Sequence, residues 1–462
     1  MKIILIQPSD AHVDGSLKGG VWHAPPLGIA SLAAFVRLHK HLPIILDLAV
    51  EEKDPKEICR EFKPDFIGFS VTTPLLFEAY KQARLLKDSF PELKIIFGGP
   101  HSSTNVEAVL RNDFVDFVVF GEGEFTLKEL LDSLPLSGIK GLAYKENVEI
   151  RINQPRELIE DLDLLPMPAY DLLNVNKYPD HPLAIRKPNI SIITSRGCPF
   201  SCIYCNKSIY GKSFRKINYK NIINQMESLI RRYGVKEFQI VDDVFTLDKG
   251  RVHDFCRELL KRKLNIKWMT PNGVRAESLD EETLGLMKRS GCHYLYLGIE
   301  SGSPKILARI KKGVVLEQIR KSVHLINKAG IQAGAFFMLG LPDETEIDIR
   351  KTIDFAKSLK LDSVKFGIMV PLPGTEIFDE YEKKGFIKNF DYSSYFWHKE
   401  PVFETDLISS KTLFYYYKRA YSEFYFRPDY ILRKMLTLGS ISGIRNIING
   451  LRVVINNQLA RN

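Results

Sequence analysis

The chain has 462 residues, a net charge of +9, and 45% hydrophobic against 26% charged residues. That balance is ordinary for a globular protein of two or three domains with large buried cores. Six cysteines in this length do not make a secreted disulfide framework, and no apolar run approaches a membrane span. The apolar start at residues 1–8 is too short for a signal peptide and reads as a strand, so a cytoplasmic protein with free thiols is expected.

Two stretches alternate strand and helix signals. In residues 1–135 the strands are expected at 3–7, 44–48, 66–70, 94–97 and 117–120, with helices at 27–39, 55–62, 74–89, 105–111 and 124–133. Five such steps predict a doubly wound, Rossmann-like sheet with its ligand at the carboxyl ends of the strands. Residues 136–188 read as a proline-rich linker with a small hairpin at 142–152. In residues 189–384 strands are expected at 190–194, 237–241, 266–270, 294–299, 332–338 and 363–370. Helices fall between them, and six units predict a partial (β/α)6 barrel, short of the eight-stranded form.

Residues 385–462 form a helical extension. From residue 408 onward nine Lys/Arg face two Asp/Glu, beside an aromatic burst from Phe414 to Phe426. The spacing favours a helix packed on the body with a solvated basic face. Contact with an anionic membrane surface is the alternative.

The most informative motif is Cys198-Pro199-Phe200-Ser201-Cys202-Ile203-Tyr204-Cys205, just after the first barrel strand. Three close, soft thiolates suit an iron–sulfur cluster. Structural zinc takes four ligands in paired short loops, and no second CxxC is present. The next cysteine is Cys256, so one iron of a cubane would lack a protein ligand and stand open to a substrate or cofactor. Other polar residues also fall at strand carboxyl ends: Asp242 and Asp243, Asn272 and Arg275, Glu300 and Ser301, Gly340, and Gly374. Each alone has a bland reading as a cap or a turn.

CxxxCxxC with an aromatic before its last cysteine, on the first strand of a partial barrel, resembles the radical S-adenosylmethionine (SAM) superfamily over residues 189–375. The resemblance implies a [4Fe-4S] cluster on Cys198, Cys202 and Cys205, whose open iron chelates SAM. One electron then releases a 5′-deoxyadenosyl radical that abstracts hydrogen from substrate. It implies Tyr204 beside the adenine and Asp242 or Asp243 at the methionine amino group, where the family usually has Gly-Gly-Glu. It further implies Glu300 and Ser301 at ribose and carboxylate, Arg275 at the carboxylate, and Gly340 lining the adenine.

The first domain adds Ser70 and Thr72, Gly98-Gly99-Pro100-His101 and Gly121-Glu122-Gly123-Glu124 at strand ends. Small residues there let a bulky ligand approach the backbone. With the downstream domain this resembles the cobalamin-dependent branch of the superfamily, which implies that Ser70, Thr72, Gly98, Gly99, His101, Gly121, Glu122 and Gly123 surround cobalamin. Asp10-Ala11-His12-Val13-Asp14-Gly15 spells DxHxxG, a pattern that places a histidine on cobalt. A Gly-rich insert follows where a helix would begin, and many members of the branch lack a protein ligand on that face, so His12 is the weakest of these assignments.

The expected activity is hydrogen abstraction followed by methyl transfer to a substrate carbon. Cyclisation, oxidation or rearrangement, with or without cobalamin, is the alternative within the class. A tRNA methylthiotransferase would need three N-terminal cysteines, and only Cys59 is there. A non-catalytic iron–sulfur sensing module is the alternative outside the class. The expected partners are a small-molecule or lipid-like substrate and a flavodoxin- or ferredoxin-type electron donor, without nucleic acid.

Overall fold

The computed structural model describes residues 1–9, 23–147 and 149–436. The first sheet holds β1 (Lys2–Gln7), β2 (Leu42–Asp47), β3 (Phe66–Ser70), β4 (Lys94–Gly98), β5 (Phe117–Val119), β6 (Leu142–Glu146) and β7 (Glu149–Ile152) in the order β2-β1-β3-β4-β5-β6-β7. β1 is buried on both faces, which explains its unbroken apolar run. Ile3 and Leu5 join the core under the helix Leu27–Leu38, whereas Ile4 and Ile6 join the core under the helix Leu76–Ser89. β1 pairs with both β2 and β3, so the connections diverge there and leave a crevice at the strand carboxyl ends.

One boundary differs from the sequence reading. The hairpin assigned to the 136–188 linker is the antiparallel edge of this sheet, with β6 paired to β5 and β7 to β6. Five parallel strands precede it, and a short β5 offered no sign that pairing would continue. The helix expected at 105–111 is present as Val106–Leu110, and an unexpected short helix, Pro100–Thr104, precedes it, because Pro100 starts a turn directly after Gly99.

The second sheet is built from β8 (Asn189–Ile192), β11 (Glu237–Ile240), β12 (Lys267–Val274), β13 (Cys292–Glu300), β14 (Gln332–Leu339) and β15 (Ser363–Ile368), all parallel and in sequence order. β8 and β15 do not pair, so this is the expected partial barrel, open on one side. A two-residue ladder, β9 (Ser195–Arg196) with β10 (Arg215–Lys216), sits at its mouth. Outer-face residues such as Ile190, Phe238 and Leu295 pack under the helices, while Met269, Tyr294 and Tyr296 form a separate cluster on the inner face.

The end of the connector closes the barrel floor. Leu183 packs on that inner cluster, and the backbone N–H groups of Ile185 and Arg186 each donate to Glu237 Oε2 at 2.8 Å. In the C-terminal extension the aromatic burst is a packed helix, Ser410–Tyr425. Tyr421 and Tyr425 donate to the carbonyls of Phe366 and Val364 on β15. Residues 437–462, with the rest of the basic tail, lie outside the described residues. Among the described residues no helix is long and apolar enough to cross a membrane.

Candidate active site

The three-cysteine loop spans residues 197–214 between β9 and β10. Gly197 opens it at φ +85°, and a Cβ there would stand 2.2 Å from the carbonyl oxygen of Ser213, so only glycine closes the loop this tightly. Cys202 is buried with its Sγ 3.8 Å from the Lys311 carbonyl oxygen, Cys198 is half-buried and Cys205 is open to the cavity beyond. The surrounding protein, and then the charge of Cys202, push the Cys205 thiol up to about 12; burial raises Cys198 as well. Thiols that cannot ionise together on their own are what a cationic iron centre would stabilise as thiolates. Among the described residues no three His, Cys, Asp or Glu side chains converge tightly enough to hold one metal ion. A cubane takes one thiolate per iron, so the loop fits a cluster and not a single zinc.

Cys198 and Cys205 face a cavity of about 810 Å³ between the carboxyl ends of the two sheets. The first domain lines it with Ser70, Thr72, Gly98, Gly99, Gly121, Glu122 and Gly123, over an apolar floor that includes Leu5, Leu32 and Ile96. Gly99 sits at φ +88°, where a Cβ would be 2.7 Å from the Val71 nitrogen, so the turn lies flat against the end of β3. The barrel supplies Tyr204, Lys207, Asp243 and Met338 on the other side, and the C-terminal extension adds Trp397. Its volume and mostly apolar lining suit a large cofactor held beside the cluster loop. No histidine lines the cavity among the described residues, and His12 lies outside them.

Several expected site residues are placed elsewhere. Asp242 is buried beneath the mouth and accepts from Thr194 N and Ser195 Oγ, each at 2.6 Å; only Asp243 reaches the cavity, where it accepts from Gly197 N at 3.2 Å. Ser301 is fully buried and pairs with Thr352 Oγ1 at 3.1 Å. Gly340 turns away: a Cβ there would meet Leu413 and Phe403 of the C-terminal extension. Arg275 donates to Glu277 and to the Lys312 carbonyl, and its guanidinium lies 3.6 Å from the Phe200 ring centroid, so it braces the cluster loop. His101 faces Thr73 Oγ1 at 3.1 Å and the edge of Tyr392. Asp242, Ser301 and His101 are each claimed by a partner on another element.

Glu300, buried at the end of β13 at φ +70°, accepts from Lys312 Nζ at 2.8 Å; the same ammonium is 3.3 Å from Oη of Tyr204, which does line the cavity. Burial works against the Lys312 charge, but Glu300 and Cys202 together offset it and the net shift is upward. Lys312 was not expected from the sequence. Nor was Arg196, whose Nη1 meets Glu122 Oε1 at 2.8 Å and whose Nη2 meets Glu124 Oε1 at 2.7 Å. Glu122 Oε2 also receives Arg215 at 2.6 Å and Ile159 N at 2.8 Å. Glu122 is therefore a rivet between the domains as well as a cavity wall.

The sequence matches the Radical SAM superfamily over residues 192–356 and the B12 binding domain over residues 20–131. It is 36% identical over 441 residues to an uncharacterised methyltransferase of Pyrococcus horikoshii, covering 94% of each chain. It is 26% identical over 460 residues to the anaerobic magnesium-protoporphyrin IX monomethyl ester cyclase of Rubrivivax gelatinosus, covering 94% of this chain and 81% of that one. Among solved structures, the cobalamin-dependent SAM radical enzyme OxsB, with aqua-cobalamin and SAM bound, superimposes with a TM-score of 0.76 at 17% identity, over 99% of this chain and 72% of that one. With a cluster loop and a strand-end crevice sharing one cavity, the chain belongs to the cobalamin-dependent radical S-adenosylmethionine enzymes.

Proposed function

We propose that this enzyme transfers a methyl group to a carbon atom of a small substrate. The observation that carries the reading is the single cavity shared by Cys198 and Cys205 with the strand ends of the first sheet. The similarity to a methyltransferase over 94% of both chains supports it. Bound together, cluster, SAM and cobalamin supply a carbon-centred radical for hydrogen abstraction and a methyl group for transfer.

The chain's own residues bind, orient and exclude water. Cys198, Cys202 and Cys205 ligate the cluster, and Arg275 holds their loop through Phe200. Tyr204, fixed by Lys312, presents a ring beside the adenine, and Glu300 and Lys312 offer a paired acceptor and donor to SAM's polar groups. Asp243, which lines the cavity where Asp242 does not, would take the methionine amino group. Ser70, Thr72, Gly98, Gly99, Gly121 and Gly123 let cobalamin lie against backbone. An external one-electron donor of flavodoxin or ferredoxin type completes the system.

Protein made with hydroxocobalamin and purified without oxygen tests this. It is expected to hold iron, sulfide and cobalt, to release 5′-deoxyadenosine from SAM on reduction, and to pass label from methyl-labelled SAM to a carbon–methyl bond in a metabolite of the host extract. Deoxyadenosine without label transfer would favour the second reading, ring formation of the kind named for the Rubrivivax relative. Absence of deoxyadenosine would sink both.

A further inference from the structure

We propose that the barrel lumen receives an acid group of the substrate, with the Lys365 ammonium as its anchor and aromatic rings as its walls. This deepens the methyl-transfer reading and rests on it. Alternation along β15 puts Ser363, Lys365 and Gly367 on the inner face. Ser363 Oγ lies 2.6 Å from Tyr294 Oη and 2.9 Å from Tyr296 Oη. Lys365 Nζ lies 5.2 Å from the Tyr296 ring centroid and 5.5 Å from that of Phe336. Above it the Trp397 side chain covers Gly367, where an added Cβ would stand 3.5 Å from Trp397 Cβ.

Lys365 has no carboxylate within ion-pair distance among the described residues, in contrast to Lys312, which Glu300 neutralises. The other ionisable group felt there is His181, whose own pKa Lys365 helps lower, so it adds no negative charge. Ring faces attract an ammonium but do not replace an anion, and the Lys365 side chain is exposed, so a ligand can reach it. Surroundings of this kind pull the Lys365 pKa down, and a bound carboxylate or phosphate would reverse that.

Leu183 and the backbone of Ile185 and Arg186 close the floor. Toward the mouth, Ile368 and Trp397 already line the cavity that Cys205 faces. Lys365 and Ile368 are three positions apart on β15, which is about 10 Å at the usual strand rise. A substrate with a flat or apolar body of about that length fits with its acid at Lys365 and its far end beside the cluster loop.

The probes are naphthoate, naphthyl phosphate and the neutral naphthamide, titrated calorimetrically into protein loaded with cluster and hydroxocobalamin. Wild type is expected to bind at least one acid about tenfold more tightly than the amide, the worth of one charge-assisted hydrogen bond. Lys365→Gln should bind acid and amide alike, with wild-type iron and cobalt content as proof of folding, and Lys365→Arg should keep the preference. Trp397→Ala should weaken all three probes together. Equal affinity for acids and amide in wild type, no binding of any probe, or a preference that survives in Lys365→Gln overturns the proposal. Failure of the methyl-transfer reading would look different: acid binding intact, but no label passed from methyl-labelled SAM.

Discussion

Glu122 and Arg196 meet at 2.8 Å across the boundary between the two sheets, and both are buried. Glu122 follows β5 at the cobalamin side of the cavity, and Arg196 stands two residues before Cys198. With Glu124 and Arg215 they form a set of two acids and two bases whose charges cancel. The cluster loop is thereby tied to the wall it must face.

Removing one member leaves a buried charge without its partner. Glu122→Ala is expected to destabilise the protein by about 3–5 kcal/mol, read as a lower denaturation midpoint. The double variant Glu122→Ala/Arg196→Met should recover part of that loss, and strict additivity of the two single effects would show that the pair is not coupled.

Cys202→Ala should abolish the iron–sulfur absorbance and reductive deoxyadenosine formation. Cys256→Ala should keep both, because Cys256 is buried among the core side chains of the helix Lys249–Lys261. Iron analysis of the two variants after identical anaerobic reconstitution checks this; full iron in Cys202→Ala would remove the cluster assignment.

Lys312 holds Glu300 and Tyr204 together beside the cluster loop. Lys312→Met is expected to raise the KM for SAM at least about tenfold, since it removes a charge-assisted contact and leaves Glu300 unpaired. Glu300→Gln keeps a hydrogen-bond acceptor for the ammonium and should cost less. An unchanged KM in Lys312→Met would place SAM elsewhere.

Burial holds His101 neutral, with its pKa pushed down to about 4 from the ordinary 6.5. Between these values the unfolded chain binds the proton and the folded chain does not, so stability falls as pH falls through that window. The loss amounts to ~3 kcal/mol by pH 4. Urea midpoints at neutral pH and near pH 5 should differ less in His101→Gln than in wild type; identical slopes would assign the acid sensitivity to other groups.

Gly374, at φ +80° after β15, presses on the first domain: a Cβ there would stand 2.2 Å from Thr104 Cγ2. Gly374→Val should push the two cavity walls apart and weaken cobalt retention on gel filtration. Thr104→Ala in the same chain should restore part of it.

The sequence by itself determined the elements and the metal chemistry. Apolar runs buried on both faces announce parallel strands, and CxxxCxxC is a local motif whose ligands need no other part of the chain to be recognised. The strand-end glycines at 98–99 and 121–123 were legible for the same reason, because a tight βα turn is written in adjacent residues. Tertiary structure alone decided which polar side chains face the cavity. Lys311 and Lys312 are neighbours in sequence, yet Lys311 reaches out to Glu376 and Lys312 reaches in to Glu300. Asp242 and Asp243 divide in the same way, one beneath the mouth and one into it. Direction of this kind is set by partners that folding brings from distant elements, and the same holds for Arg196 against Glu122 and for Lys365 among the rings of β13 and β14.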